Sequence, residues 1–454
     1  MQFQINEWQF IFNELIKTGF IPYVTGGYPR DIVLGVQSKD MDIEVFGCTI
    51  EQLENVLSRF GKISTVGKKF GIVKLTTETG DYDFSVPRRE NKVGVGRSGF
   101  DVEFDPTITP KEASARRDFT FNSMFMDSSF HIVDPHNGMD DLMQYRLRHT
   151  SSAFMEDPTR VLRGMRFCGQ LNLRPYRRTV ELCKIMFDRY DEIEADMIWQ
   201  EWEKWALRSV KPSRGLAFLW STGWIHHYPE LYGMTRVPQE PEWHPEGSVW
   251  QHTKHVIDEM NDICNRDFVC GEQKIIRMFG ALLHDVGKPL TTTVNEYGRI
   301  ISPGHDEAGV DLAYSFMERI HAPKRFHEPV VDMVRYHMRH VGGATARTAR
   351  RFASKLTNIT KDDWLRIVEA DYSGRPPLSK GIPTEAQAMY DLMVEETQNN
   401  RVEQLVMGRH LIAAGFNPSP SFGKVLKEVY EIQLEEGLGF EELLEIALDK
   451  MKNL

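Results

Sequence analysis

Thr25-Gly26-Gly27-Tyr28-Pro29-Arg30-Asp31, followed by Lys39-Asp40-Met41-Asp42, is the stretch on which the reading of this chain turns. The apolar run before it, Phe20-Ile21-Pro22-Tyr23-Val24, reads as a strand, Gly26-Gly27 as a turn, and residues 29–34 as a short helix closed by Gly35. Two glycines before a helix start let backbone N–H groups approach a triphosphate, whose charge the helix dipole favours. Residues 41–46 alternate as a strand does, and residues two apart on a strand share a face, so Asp40 and Asp42 converge, with Glu44 next along. Paired carboxylates repel each other, which points to a divalent metal between them. Residues 71–77 and 81–86 form a candidate hairpin that supplies Asp83 as a third ligand.

Outward from this centre, residues 1–19 carry the helical spacing of Phe10, Leu15 and Ile16, ended by Gly19. Beyond about residue 150 strand signals fade. Helical periodicity takes over, broken at Lys211-Pro212, at residues 237–245 and at Arg375-Pro376-Pro377. The Pro-rich stretch 238–247, PQEPEWHPEG, reads as a linker. A length of 454 residues implies two to four domains. The apolar runs, such as residues 278–283, are too short to span a bilayer, and the N-terminus lacks the pattern of a secretion signal, so no membrane partner is expected. Five scattered cysteines without a CxxC pair indicate a reduced, cytoplasmic protein. A net charge of −10 argues against a general polyanion binder. Yet Arg146, Arg148, Arg160, Arg163, Arg166, Arg174, Arg177 and Arg178 face only Glu156 and Asp157 within their stretch, a candidate phosphate-binding track.

The glycine turn and its acidic strand are followed, in order, by Arg116-Arg117-Asp118-Phe119-Thr120-Phe121-Asn122, by Asp134-Pro135-His136-Asn137-Gly138 with Asp141-Leu142, and by Glu156-Asp157-Pro158-Thr159-Arg160-Val161-Leu162-Arg163 with Arg166-Phe167. Over roughly the first 230 residues this order resembles the class II tRNA nucleotidyltransferase and bacterial poly(A) polymerase family, within the DNA polymerase beta superfamily. The resemblance implies that Asp40 and Asp42, with Asp83, hold Mg²⁺ ions for two-metal phosphoryl transfer. It implies nucleotide contacts from Gly26, Gly27, Arg30, Arg116, Arg117, Asp118, Asn122, Asp157, Arg160, Arg163 and Arg166. Asp157 and Arg160 lie three apart and would share a helix face. A carboxylate that only accepts and a guanidinium that only donates complement the Watson–Crick edges of cytosine and adenine, and mismatch uracil and guanine. Two departures stand out: Asp196-Met197 replaces the family's Glu-Arg pair ahead of Trp199-Gln200-Glu201, and Pro29 replaces an aliphatic residue.

Downstream lie His252, His284-Asp285 closing an apolar helical run, His305, His337 and Asp371. Burying an adjacent His-Asp pair is costly unless a cation compensates, and mixed imidazole and carboxylate ligands suit a transition metal such as Mn, Ni, Co or Fe better than Mg alone. The order H…HD…H…H…D over about residues 248–375 resembles the all-α HD phosphohydrolase superfamily, which implies that these six residues hold one or two metals. Lys288 and Arg339 are candidate phosphate contacts. The expected architecture is multidomain: an α+β nucleotidyltransferase head (1–145), an all-α neck and body (146–240), an all-α HD domain (246–380) and a helical tail (381–454) with a packing or homodimer role. The resemblance implies addition of C and A from CTP and ATP to the tRNA 3′ end, with a second phosphodiesterase or phosphatase activity. The alternatives are a poly(A) polymerase or partial CC- or A-adding enzyme, and a hydrolase whose head only binds nucleotides.

Overall fold

The structure, a computed structural model, describes residues 7–37, 41–64, 71–92, 100–397 and 402–453; Asp40 lies outside them. The chain divides into two compact units, Met1–His227 and Tyr228–Leu454.

The first unit opens with α1 (Glu7–Lys17), β1 (Ile21–Thr25), α2 (Gly27–Val33), β2 (Asp42–Phe46) and α3 (Ile50–Leu57). Then come β3 (Lys62–Ser64), β4 (Ile72–Thr76), β5 (Asp81–Ser85), the ribbon of β6 (Arg88–Lys92) and β7 (Phe100–Phe104), α4 (Pro110–Ala115), β8 (Phe125–Met126) and β9 (Ile132–Val133). Thr49 and Thr109 each cap a helix start in a capping box, with Gln52 and Glu112 as reciprocal partners. The seven-stranded sheet runs β3-β4-β5-β2-β1-β8-β9. The expected hairpin is β4–β5, antiparallel, and β5 then lies parallel to β2. Trp8, Phe12 and Leu15 of α1 and Leu53 and Leu57 of α3 pack on Val24, Ile43, Val45 and Phe84 of the sheet. Burying each such side chain contributes about 1.5–3 kcal/mol, and this apolar layer is the platform beneath the polar strand ends.

A helical part follows: α5 (Gly138–Met143), β10 (Arg146–Leu147), α6 (Thr159–Gln170), β11 (Arg174–Pro175), α7 (Arg177–Ile185), α8 (Ala195–Arg208) and α9 (Pro212–Thr222). Helix α6 packs against both α8 and α9. One parallel ribbon interrupts the helices, pairing Arg146 with Arg174. The basic block is therefore partly neutralised from within: Arg146 and Arg148 bond buried Asp141 at 3.3 and 3.1 Å.

The second unit contains α10 (Pro229–Gly233), α11 (Val249–Arg266), α12 (Gly271–Leu283), α13 (Lys288–Thr291), the hairpin β12 (Thr293–Val294) and β13 (Ile300–Ile301), α14 (His305–Arg319), α15 (His327–Tyr336), α16 (Ala346–Ala353), α17 (Lys361–Ser373) and α18 (Thr384–Glu396). Its helical tail is α19 (Gly408–Ala413), α20 (Pro420–Glu436) and α21 (Phe440–Lys452), around Leu411, Val425, Val429 and Leu443. Arg350 of α16 closes the end of α20 by donating to the Leu434 and Glu435 carbonyls. Residues 228–240, read from the sequence as body, belong to this unit: Arg319 bonds Glu230, and Lys288 bonds Gln239.

Candidate active sites

In the first unit the register of β2 against β5 sets Asp42 directly opposite Asp83 on adjacent strands. Both carboxylates line one cavity with Arg116 and Arg117. Asp42 also borders a larger cavity of about 400 Å³ bounded by the Gly26-Gly27 turn, Arg30, Asp118, Asp157, Arg160 and Arg163. Gly26 has φ +76°, a backbone conformation that side-chain-bearing residues rarely adopt, and a Cβ there would stand 3.0 Å from Asp42 Oδ2. Asp42 and Asp83 are acceptor-only oxygens on neighbouring strands, a donor set that fits a hard divalent cation.

Buried Glu44 is the anchor for the cavity's cations. It lies 3.3 Å from Arg117 and 4.0 Å from Arg116, and Arg117 also donates to the Asn122 carbonyl. Arg30 donates to Asn122 Oδ1 at 2.9 Å and to Asp31. Asp118 is nearly enclosed, accepting from Arg163, Asn122 Nδ2 and the Phe119 N–H. Burial raises its pKa, but Arg163 and these hydrogen bonds outweigh burial and leave it below the ordinary value.

Two sequence expectations are corrected here. Asp157 and Arg160 do not share a helical face, because α6 begins at Thr159; Asp157 precedes it and accepts the Thr159 N–H at 2.9 Å. The Asp157–Pro158 step, with proline fitting a helix start, ends the regular spacing. Both residues nonetheless line the larger cavity. Arg160 donates to the carbonyls of Ala153 and Arg116 at 2.6 and 2.7 Å, which uses two of its five N–H groups and fixes the plane of the rest. Arg166 is not in the cavity wall. It is 5% exposed, bonds Glu201 at 2.5 Å and Gln170 at 2.8 Å, and lies 3.7 Å over the Phe167 ring. Burial pulls its pKa down to about 10 against the opposing pull of Glu201.

Sequence reasoning named Glu201 only as the end of a motif and gave it no role. Fully buried on α8, it faces Arg166 and, at 3.9 Å, Arg163, and so ties the arginine helix in place. The neighbouring departure from the family pattern leaves this link intact, since Met197 is simply packed in the core. Removing one partner of a buried ion pair strands the other, so Glu201→Ala is expected to destabilise the first unit by about 3–5 kcal/mol. The urea midpoint reads this out, and an unchanged midpoint would assign Glu201 no structural role.

The second unit holds a denser centre. His252 comes from α11, His284 and Asp285 from the end of α12, His305 from the start of α14, His337 from the end of α15 and Asp371 from α17. Packing of α11 on α12 and α17, and of α12 on α15, brings all six together. Gly287 makes this possible: a Cβ there would sit 2.1 Å from the His305 carbonyl oxygen.

The hydrogen bonds define which nitrogen of each ring faces inward. Nδ1 of His284, His305 and His337 lies 2.9, 2.8 and 2.6 Å from the carbonyls of Ala281, Ser302 and Val334. A carbonyl only accepts, so Nδ1 carries the hydrogen and Nε2 presents a lone pair. His305 Nε2 and His337 Nε2 then stand 3.1 Å apart, and His284 Nε2 is buried without a hydrogen-bond partner, 3.3 Å from Asp285 Oδ2. Burial, reinforced by His305 and His284, pulls His337 down to about 3 and keeps it neutral. Inward-facing imidazole nitrogens and carboxylate oxygens crowded this closely are a donor set that fits a divalent metal.

Asp285 divides its oxygens between two ligand groups. With His252 and His284 it makes one, and with His305 and His337 the other. Lys288 reaches Asp285 Oδ2 and Gln239, each at 2.7 Å, and is buried.

Comparison with known proteins follows the same division. The Poly A polymerase head domain matches residues 22–148, and the HD domain matches residues 249–386. The multifunctional CCA protein of Vibrio vulnificus (strain YJ016) is 32% identical over 368 residues, covering 78% of this chain and 86% of that protein. The multifunctional CCA protein of Methylobacillus flagellatus is 32% identical over 388 residues, covering 83% and 88%. Among solved structures, the Bacillus stearothermophilus CCA-adding enzyme in complex with CTP has a TM-score of 0.63 at 18% identity, covering the whole of both chains. The Thermotoga maritima CCA-adding enzyme complexed with tRNA has a TM-score of 0.61 at 19% identity, covering 98% of this chain and 95% of that one.

Proposed function

Since the chain belongs to the multifunctional CCA protein family, we propose that its first unit adds C and A nucleotides from CTP and ATP to the 3′ end of tRNA, and that its second unit is a metal-dependent phosphohydrolase. The observation that carries the first half is the register of Asp42 against Asp83 at the edge of an arginine-lined cavity. In the reaction the RNA 3′-oxygen bonds to the α-phosphorus as the bond to pyrophosphate breaks. Asp42 and Asp83, with Asp40, would hold Mg²⁺, which when bound would lower the charge on the phosphates and the pKa of the attacking hydroxyl, whose proton leaves to solvent. Arg116 and Arg117, steadied by Glu44, face the triphosphate, and the Gly26-Gly27 turn admits it close to the backbone. Asp118 holds Arg163 in the cavity wall.

Asp157 and Arg160 read the base, with the Arg160 guanidinium plane set by its two carbonyl partners. Arg160→Ala is therefore expected to lose discrimination against UTP and GTP by about 10-fold or more, of the order a good bidentate base contact supplies, while also slowing addition. Single-turnover rates with each labelled nucleotide measure it. A uniform slowing with discrimination intact would move Arg160 to a phosphate or structural role.

Transcripts of tRNA ending before CCA, before CA and before A, each incubated with one labelled nucleotide, test the whole reading. Stepwise C, C and A incorporation supports it, whereas continuous A addition to any RNA end identifies a poly(A) polymerase. In the second unit, His252, His284, Asp285, His305, His337 and Asp371 would hold one or two transition-metal ions of the Mn, Ni, Co or Fe type. Bound metal there would supply an activated water for phosphoester hydrolysis. Among the described residues no helix is long and apolar enough to cross a membrane. Five free cysteines, four of them buried, suit the reducing cytoplasm, where we place the enzyme.

A further inference from the structure

The segment just before the HD match, which begins at residue 249, is bound to the metal centre by its own side chains. Gln239 is buried and bonds Lys288, and Glu240 accepts the Ile300 N–H at 2.9 Å. The Glu246 side chain is 1% exposed, and one of its oxygens lies 2.9 Å from His244 Nδ1 and 2.7 Å from His252 Nδ1. A buried carboxylate is costly unless donors face it. His244 Nδ1 hydrogen-bonds that oxygen, and His252 Nδ1, buried with no other partner, stands close enough that a hydrogen carried there has Glu246 as its acceptor.

For His252 the consequence is specific. With hydrogen on Nδ1, its Nε2 becomes a lone pair 2.9 Å from Asp371 Oδ1 and 3.9 Å from Asp285 Oδ2. The other three histidines of the centre are oriented by backbone carbonyls, whereas His252 alone among them is backed by a carboxylate. A carboxylate behind an imidazole both fixes its tautomer and strengthens its inward nitrogen as a ligand.

We propose that Glu246 is a positioning residue of the second unit's metal centre, holding His252 with Nε2 toward the cation, and that residues 239–247 are part of that centre. This rests on the metal reading of the six ligands. His244, sharing the same carboxylate oxygen, limits the carboxylate's rotation and completes the arrangement.

The full-length wild type, Glu246→Gln and Glu246→Ala are stripped with chelator and titrated calorimetrically with Mn²⁺ alone. The expected result is Mn²⁺ affinity lowered about 10–100-fold in Glu246→Ala, and less in Glu246→Gln, whose amide oxygen still accepts from Nδ1 but without charge. In ¹⁵N-histidine spectra of the proteins loaded with diamagnetic Zn²⁺, the His252 Nδ1–H, assigned through His252→Asn, is protected from solvent exchange in wild type and loses that protection in Glu246→Ala. Nucleotide addition stays at the wild-type rate in both variants, and an unchanged far-ultraviolet circular dichroism spectrum of the full chain reports that the second unit is folded. Wild-type affinity in either variant, or an unchanged His252 Nδ1–H in Glu246→Ala, overturns the proposal. A wild type that takes up no Mn²⁺, Ni²⁺ or Co²⁺ overturns the metal reading beneath it instead.

Discussion

Replacing Asp42 by alanine is expected to lower nucleotide addition by about 10³-fold or more, taking several kcal/mol of metal-borne charge stabilisation at about 1.4 kcal/mol per tenfold. Asp42 lies opposite Asp83 in the strand register and touches both cavities, so its loss leaves Asp83 without its partner on the neighbouring strand. The substitution removes an exposed side chain from a strand end and disturbs no core packing. Hydrolysis by the HD centre should stay near the wild-type rate, because its ligands lie in the other compact unit, which has its own core. Both activities are measured on one preparation. Equal loss of both would defeat the two-site reading.

Asp285→Ala should do the converse. Asp285 joins the ligand group of His252 and His284 to that of His305 and His337, and both of its oxygens are used. Its carboxyl is held well below the usual range: burial raises it, and His284 and Lys288 more than reverse that. The variant is expected to lose most bound transition metal and, by the same arithmetic, about 10³-fold or more of its hydrolysis of 2′,3′-cyclic nucleotides. Nucleotide addition should persist. Asp285→Asn, which keeps the side-chain shape, separates ligand loss from the effect of leaving Lys288 buried beside a void. Mass spectrometry of never-chelated protein gives the metal content. A wild type that carries no metal and cleaves no phosphoester with added Mn²⁺, Ni²⁺ or Co²⁺ would reduce this centre to a packing role.

What the sequence made legible was local. The strand through Val24, the turn at Gly26 and the β4–β5 hairpin follow from residue alternation and turn chemistry within a few positions. Asp83 was visible as a carboxylate on a strand, but its alignment with Asp42 depends on a long-range parallel pairing that no local periodicity encodes. The Asp157/Arg160 spacing misled because helical spacing holds only inside a helix, and Pro158 stands at its start. Arg166 misled through its place in a motif; three residues past Arg163, it is turned into the body toward Glu201. The Pro-rich segment carried a signal that its prolines masked: Gln239 and the Glu246 carboxylate are polar groups of the kind a solvated linker has no need to bury.

The pairing of β2 with β5 also governs how this head can change length. Side chains alternate along a strand, so one residue inserted within β5 ahead of Asp83 would rotate that carboxylate to the opposite face and dismantle the pair. The excursion that joins the two strands contains α3, β3 and β4, and its surface connections can grow at a loop-closure cost of only about 0.6 kcal/mol per doubling. Length variation among descendants of this head is thus channelled into the connections, while the two strands themselves can exchange residues but cannot gain or lose one.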